Sequence, residues 1–236
     1  MAKPWKIIES ITTDEGVLEL RQRDTRDFLI TVGGLVLMNS LANRSEVVLG
    51  QLGCRGLEKR PAPRVLVGGL GMGCTLRAVL DSLPADAEVV VAELNPVVVQ
   101  WCRGPLAVLT DGVVNDPRLR IKIGDVAELV KQAGRKGETY DAVIYDLYKG
   151  PHFRTDRQND PLYGRHAIER VRSLLPDGGT FAIWGENPDE GFTQRLRAAG
   201  FTVTLERPGR GGLRHVVFLA RLGKGPASEL RTLNHR

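Results

Sequence analysis

Glu93, Asp125 and Asp146 are the residues of this chain best placed to do chemistry. Each closes an apolar run: Ala87-Glu-Val-Val-Val-Ala-Glu93, Leu119-Arg-Ile-Lys-Ile-Gly-Asp125 and Tyr140-Asp-Ala-Val-Ile-Tyr-Asp146. Such runs read as buried strands, and carboxylates just past strand C-termini sit where open α/β sheets bind ligands. A further run, Val65-Leu-Val67, leads into Gly68-Gly-Leu-Gly-Met-Gly73 and then Thr75-Leu-Arg-Ala-Val-Leu80, a pattern of strand, tight turn and helix. The glycines let the backbone turn sharply and approach a ligand, and the helix N-terminus offers unpaired N–H groups. Glu93 follows Gly73 by about 20 residues, the spacing at which a carboxylate can accept hydrogen bonds from ribose hydroxyls. A glycine turn alone can end a strand for steric reasons, and one such acid is often only a helix cap. Three acids in step with a glycine loop point to an adenosine site.

The elements that must position these groups fall into two parts. Over residues 5–60, Gly16–Arg23 and Asp27–Val32 alternate apolar and polar residues, Gly33-Gly34 makes a turn, and Leu35–Met38 resumes the apolar run. This predicts a small antiparallel meander: an edge, a dimer contact or a cover over the substrate. Ser45-Glu46 can cap a short helix through Leu57, and Pro61-Ala-Pro63 reads as a linker. From residue 64 strands and helices alternate, the pattern of a parallel sheet with helices on both faces. Helices are expected over 96–107, from Asp125 to a glycine-rich exit at 134–138, over 162–175 and over 189–199. The polar stretch 147–160 carries Lys149, His152, Arg154, Asp156 and Arg157, and a loop this long at the ligand end of a sheet is often functional. Strands follow at 180–184, 201–207 and 214–221, and the connection 208–212 is too short for a helical crossover, so the last pair is antiparallel. The expected fold is a Rossmann-like α/β sheet with a C-terminal antiparallel hairpin, over 61–222. The meander domain precedes it at 1–60 and a basic tail follows at 223–236. A hairpin ending argues against a nicotinamide dehydrogenase and suits S-adenosylmethionine-dependent enzymes.

Composition bounds the class. The chain is 42% hydrophobic, with no apolar run near the roughly 18 residues of a membrane span and no signal-like core at its start. Cys54, Cys74 and Cys102 and the four histidines show no disulfide or metal spacing, which suits a cytoplasmic protein. The net charge of +5 is concentrated near the C-terminus, at Arg221, Lys224, Arg231 and Arg236. That reads as a solvated tail rather than a nucleic-acid surface.

Read together, the meander, Gly-Gly-x-Gly-x-Gly, Glu93, Asp-Pro117-Arg, Gly-Asp125, Asp146, Leu162-Tyr163, Pro-x-Gly-Gly179 and Glu186 carry a resemblance. From about residue 15 to 222 the chain resembles the spermidine synthase (polyamine aminopropyltransferase) superfamily, specifically its spermidine-synthase-like branch of methyltransferases. The resemblance implies that Glu93 binds the ribose and Asp125 the adenine amino group. It places Gly69, Gly71 and Gly73 beside the methionine-derived part of the donor. Leu94, Gly124 and Val126 complete that cofactor site, with Met72 and Asp146 at its reacting end. Asp146 matches the acid that deprotonates an attacking amine, and Glu186 a substrate-contacting acid. A dimer through the meander is also implied.

Two departures from the family shape the expected chemistry. Met72 stands where aminopropyltransferases carry an Asp that contacts the donor's ammonium, and Lys149 stands where they carry a second acid that holds the polyamine. Losing one partner of a buried charge contact typically costs about 2–5 kcal/mol, and a lysine near a cationic substrate adds repulsion. The expectation is therefore methyl transfer from S-adenosylmethionine to a small-molecule N or O nucleophile. Asp146 is the leading base, then Tyr148, Lys149 and His152, and Asp146 could alternatively orient a backbone amide. Lys149, His152, Tyr163, Trp184 and Glu186 are the candidate substrate contacts, although Tyr163 and Trp184 could equally pack the core. The alternative is aminopropyl transfer from decarboxylated S-adenosylmethionine, and a third reading is a non-catalytic nucleotide or nucleic-acid binder using the basic tail and loop 207–214.

Overall fold

In the computed structural model, which describes residues 3–152, 154–208 and 215–223, the central strands divide their side chains between two layers. Val65, Val67, Val89, Val91, Ala142 and Ile144 enter one apolar core, while Leu66, Val90, Val143 and Tyr145 enter the other. That is the period-2 alternation of a strand buried on both faces, so the runs look uniformly apolar in sequence.

The strands are β1 (Lys6–Thr13), β2 (Gly16–Asp24), β3 (Asp27–Val32) and β4 (Leu35–Asn39), forming a four-stranded antiparallel sheet in chain order. Strand β1 is mostly exposed, so it carries no alternation that could announce it. The second sheet contains β5 (Arg64–Gly68), β6 (Glu88–Glu93), β7 (Leu119–Ile123), β8 (Ala142–Tyr145), β9 (Thr180–Gly185), β10 (Phe201–Glu206) and β11 (Val216–Leu222). Its order is β10-β11-β9-β8-β5-β6-β7. Strands β5 to β9 pair in parallel, while β11 runs antiparallel to both β9 and β10. The expected hairpin ending is present, with β11 inserted between its partner and the sheet.

Chain order reverses between β5 and β8, and this switch point opens a crevice at the carboxyl edge. One face of the sheet carries α1 (Arg44–Gly53), α2 (Cys74–Asp81) and α3 (Pro96–Arg103), and the other carries α5 (Val126–Arg135), α6 (Arg165–Leu174) and α7 (Glu190–Ala198). The single turn α4 (Ala107–Thr110) lies between α3 and β7.

Several boundaries differ from expectation for local reasons. Helix α3 stops at Gly104, whose backbone leaves the helical region, so the expected 96–107 helix ends early. Helix α6 starts at Arg165 rather than Leu162, because Asp160 Oδ1 accepts hydrogen bonds from the N–H groups of Leu162 and Tyr163 at 2.9 and 2.7 Å and holds them in a turn. Helix α1 runs from Arg44 to Gly53, and Ser45 lies inside it instead of capping it. The expected basic tail lies outside the described residues beyond Gly223, as does loop 209–214.

The meander folds over the crevice. Leu18, Leu20, Phe28 and Ile30 belong to the same core as Leu49, Val67 and Leu76, and Trp101 Nε1 donates to Glu9 at 2.7 Å. Of the three roles open to it, covering the site is the one this packing supports. Among the described residues, no helix is long and apolar enough to cross a membrane, and no group of His, Cys, Asp and Glu is arranged to hold a metal ion.

Candidate active site

Beneath the meander lies a cavity of about 310 Å³. Its floor is the carboxyl edge of β5 to β8, and its roof includes Leu18, Ile30, Val32, Leu37 and Met38. The glycine loop forms part of the floor. Gly69 has φ of 90° and passes so close to the Asp146 carbonyl that a Cβ there would collide with it. Gly71, with φ of 50°, sits directly under Met38. Only residues without a side chain fit this turn comfortably.

Glu93 is buried at the end of β6. Its carboxylate accepts the N–H of Leu70 at 2.9 Å and of Asn95 at 2.8 Å, which fastens the glycine loop to β6. Burial raises its pKa, and the main-chain donors work against that rise. Glu93 also lines the cavity. Asp125 caps α5 through the Ala127 N–H at 2.8 Å and also lines the cavity, with Gly124 and Val126 beside it. Leu94 stays exposed on the same wall.

Asp146 sits at the switch point, where its N–H donates to the Gly68 carbonyl at 2.9 Å. Thr75 Oγ1, in the first turn of α2, donates to Asp146 Oδ2 at 2.6 Å and lies 3.1 Å from the Glu46 carbonyl oxygen. Burial of the carboxyl, with the Glu46 charge adding to it, pushes the Asp146 pKa up to about 7, while the Thr75 hydrogen bond opposes the rise. A carboxylate so poised can exchange a proton near neutral pH.

On the next residues of that loop, Tyr148 donates its hydroxyl hydrogen bond to the Glu15 carboxylate. Burial is the main cause that raises the Tyr148 pKa, with Glu15 contributing. The Lys149 ammonium lies 4.8 Å from the Tyr148 ring centroid and 3.9 Å from Glu15 Oε1. Its pKa is raised, chiefly by the tyrosine oxygen.

Six anticipated residues lie off this wall. Met72 is fully buried in the core, and Gly73 is the N-cap of α2, packed against Val113. Tyr163 is buried; its hydroxyl donates to the Lys149 carbonyl at 2.7 Å and its ring meets Phe192 edge-on. Trp184 donates to Ser45 Oγ at 3.2 Å and stands edge-to-face with His215, so it packs between α1 and the start of β11. Glu186 is exposed past β9. His152 is exposed as well, and its Nδ1 accepts the Arg154 N–H at 3.1 Å. Conversely, Glu15, Met38, Thr75 and Glu46 were not anticipated. Glu15 looks like an ordinary hairpin-turn residue, and Thr75 like one more first-turn threonine. Contacts distant in sequence give each its place.

The reversed final strand, the switch-point crevice and the acids around it define a Rossmann-like α/β protein with a cavity at the carboxyl edge of the sheet. The family model for the spermine/spermidine synthase domain matches residues 52–192. The chain belongs to that family. It is 37% identical over 122 residues to polyamine aminopropyltransferase 1 of Hyperthermus butylicus, covering 50% of this chain and 40% of that protein. With the polyamine aminopropyltransferase of Pyrobaculum calidifontis it shares 33% identity, covering 54% of this chain and 43% of the relative. The chain thus spans less than half the length of these curated relatives. Spermidine synthase from Thermotoga maritima superposes with a TM-score of 0.70 at 22% identity, covering 92% of this chain and 73% of that one. Human methyltransferase-like protein 13 superposes with 0.58 at 20% identity, covering 80% and 83%. At these identities the structural likeness speaks to the fold.

The expectation of methyl transfer from S-adenosylmethionine is corrected by these relatives, which are named as aminopropyltransferases. The structure shows where both departures that motivated it lie. The Met72 side chain faces the core and not the cavity. The Lys149 ammonium leans on Tyr148 and Glu15, so a carboxylate from the meander offsets its charge.

Proposed function

We propose that this chain is a transferase that moves an aminopropyl group from decarboxylated S-adenosylmethionine to an amine. The observation that carries this reading is Asp146: a carboxylate with its pKa near neutrality, on the floor of a cavity that also presents Glu93 and Asp125. In this reading Glu93 accepts the ribose hydroxyls and Asp125 the adenine amino group. Leu94 and Val126 flank the base, and Gly69 and Gly71 let the sulfonium end approach the backbone. The attacking nitrogen forms a bond to the carbon next to sulfur, the C–S bond breaks with its electrons going to sulfur, and Asp146 takes the nitrogen's proton. The leaving group is already activated, so positioning and proton removal are what the protein must supply. Tyr148 acts by holding the loop to the meander. The same carboxylate separates this reading from a non-catalytic binder, which has no use for a titrating group there.

The outer meander leaves Ile7, Ile8, Leu35 and Val36 exposed, which supports a second copy of the chain as partner. The three buried free cysteines support a reducing, cytoplasmic compartment.

The test is to incubate the protein with decarboxylated S-adenosylmethionine and a panel of diamines and polyamines, and to follow 5′-methylthioadenosine by chromatography. The expected result is its amine-dependent formation. No 5′-methylthioadenosine with any amine overturns the reading.

A further inference from the structure

Glu15 lies on the turn between β1 and β2, yet it lines the same cavity as Asp146. The other cavity acids are already committed in part to the fold. Glu93 holds two main-chain N–H groups, Asp125 caps α5, and Asp146 accepts from Thr75. The Glu15 carboxylate instead takes its partners from two side chains of the loop after β8, the Tyr148 hydroxyl and the Lys149 ammonium.

The Lys149 contact shows what this corner accommodates. A primary alkylammonium rests 3.9 Å from a carboxylate oxygen and 4.8 Å from the centroid of an aromatic ring. Carboxylate plus ring face is the pairing that recognises an alkylammonium ion. The lysine side chain is 70% exposed and the glutamate 42%. An exposed pair of this kind is worth only about 0–1 kcal/mol, so a soluble ammonium can take the lysine's place with little net loss.

We propose that Glu15, with the face of Tyr148, is the subsite for the second ammonium of a diamine acceptor, and that Lys149 occupies it until the acceptor displaces it. The inference rests on the aminopropyl reading above and adds to it a specificity-determining residue from the meander. The reacting nitrogen lies at Asp146, the distal one at Glu15, and the methylene chain runs beneath the apolar roof. Selection for a diamine over a monoamine follows, because a monoamine leaves Glu15 to Lys149.

The experiment is steady-state kinetics on the full chain with decarboxylated S-adenosylmethionine, comparing 1,4-diaminobutane with 1-aminobutane by 5′-methylthioadenosine release. Glu15→Gln keeps the size of the side chain but removes its charge. The ratio of kcat/KM for diamine over monoamine is expected to fall about tenfold or more, through the KM of the diamine. Lys149→Met removes the internal competitor, and the diamine KM is expected to fall severalfold. A Glu15→Gln ratio equal to that of the unsubstituted protein overturns the proposal, as does a diamine KM that rises in Lys149→Met. If the unsubstituted protein releases no 5′-methylthioadenosine with either amine or the wider panel, the aminopropyl reading itself fails and this inference falls with it. Amine turnover without diamine preference sinks the Glu15 subsite alone.

Discussion

Asp146 has two properties that pull against each other. Its position at the switch point suits a base, and burial that lifts its pKa to about 7 makes its charged form unfavourable in the fold. Asp146→Asn removes the base while keeping the shape, so amine turnover should drop by about 10²- to 10⁴-fold. Calorimetric titration with 5′-methylthioadenosine should still show nucleoside binding, since Glu93 and Asp125 are untouched. In the unsubstituted protein, kcat/KM for the amine should climb as pH rises through about 7, because the carboxylate must be ionised to accept a proton. A flat profile between pH 5.5 and 8 would remove Asp146 from the base role. In sequence this residue stands out by its place after a strand. Its titration does not, because Thr75, and Glu46 on α1, reach it only in the folded chain.

At the scale of elements, the glycine loop and the loop after β8 are pressed together by the parallel pairing of β5 with β8, which sets Gly68 opposite Tyr145. Gly69 therefore crosses against the Asp146 backbone with a left-handed φ of 90°. Gly69→Ala should destabilise the protein by about 1–3 kcal/mol from backbone strain alone, with more from the collision. It should also weaken 5′-methylthioadenosine binding. Denaturant titration and calorimetry check the two effects, and an unchanged midpoint would refute the close approach. Most element boundaries followed from apolar runs and breakers. The end of α3 at Gly104 and the late start of α6 did not, because each depends on a backbone turn or on one side chain, Asp160, choosing main-chain donors.

For the molecule as a whole, the meander shares a core with the main sheet. Phe28 is fully buried there, so Phe28→Ala should cost about 3–5 kcal/mol. It should lower a single cooperative melting transition and not split it in two. Two resolved transitions, with the lower one alone moving, would mean that the meander folds separately. The pH dependence of global stability carries the Asp146 signature. The folded-state value of about 7 lies above the ordinary 3.8, so between those values the folded state binds more protons and stability falls as pH rises. Asp146→Asn is then expected to raise Tm at pH 8 and to change it much less at pH 4, as scanning fluorimetry can show. An equal Tm shift at both pH values would contradict the buried-carboxylate account.

The sequence by itself determined the layered α/β plan, the switch-point glycine loop and the acids that follow β6, β7 and β8. Each of these depends on local period or on residues close in the chain. The tertiary structure decided which of the named residues meet. Met72, Tyr163, Trp184 and Glu186 were adjacent to the right motifs but face the core, a neighbouring element or solvent. Glu15 and Met38 belong to the site because the meander folds back over the sheet. The charge environment of Lys149 depended on the same fold-back. Seen alone in the loop it looks like a cation facing the substrate, and in the folded protein it rests against a carboxylate more than a hundred residues earlier in the chain. A side chain's direction and its distant partners are set by packing, and linear spacing carries no record of them.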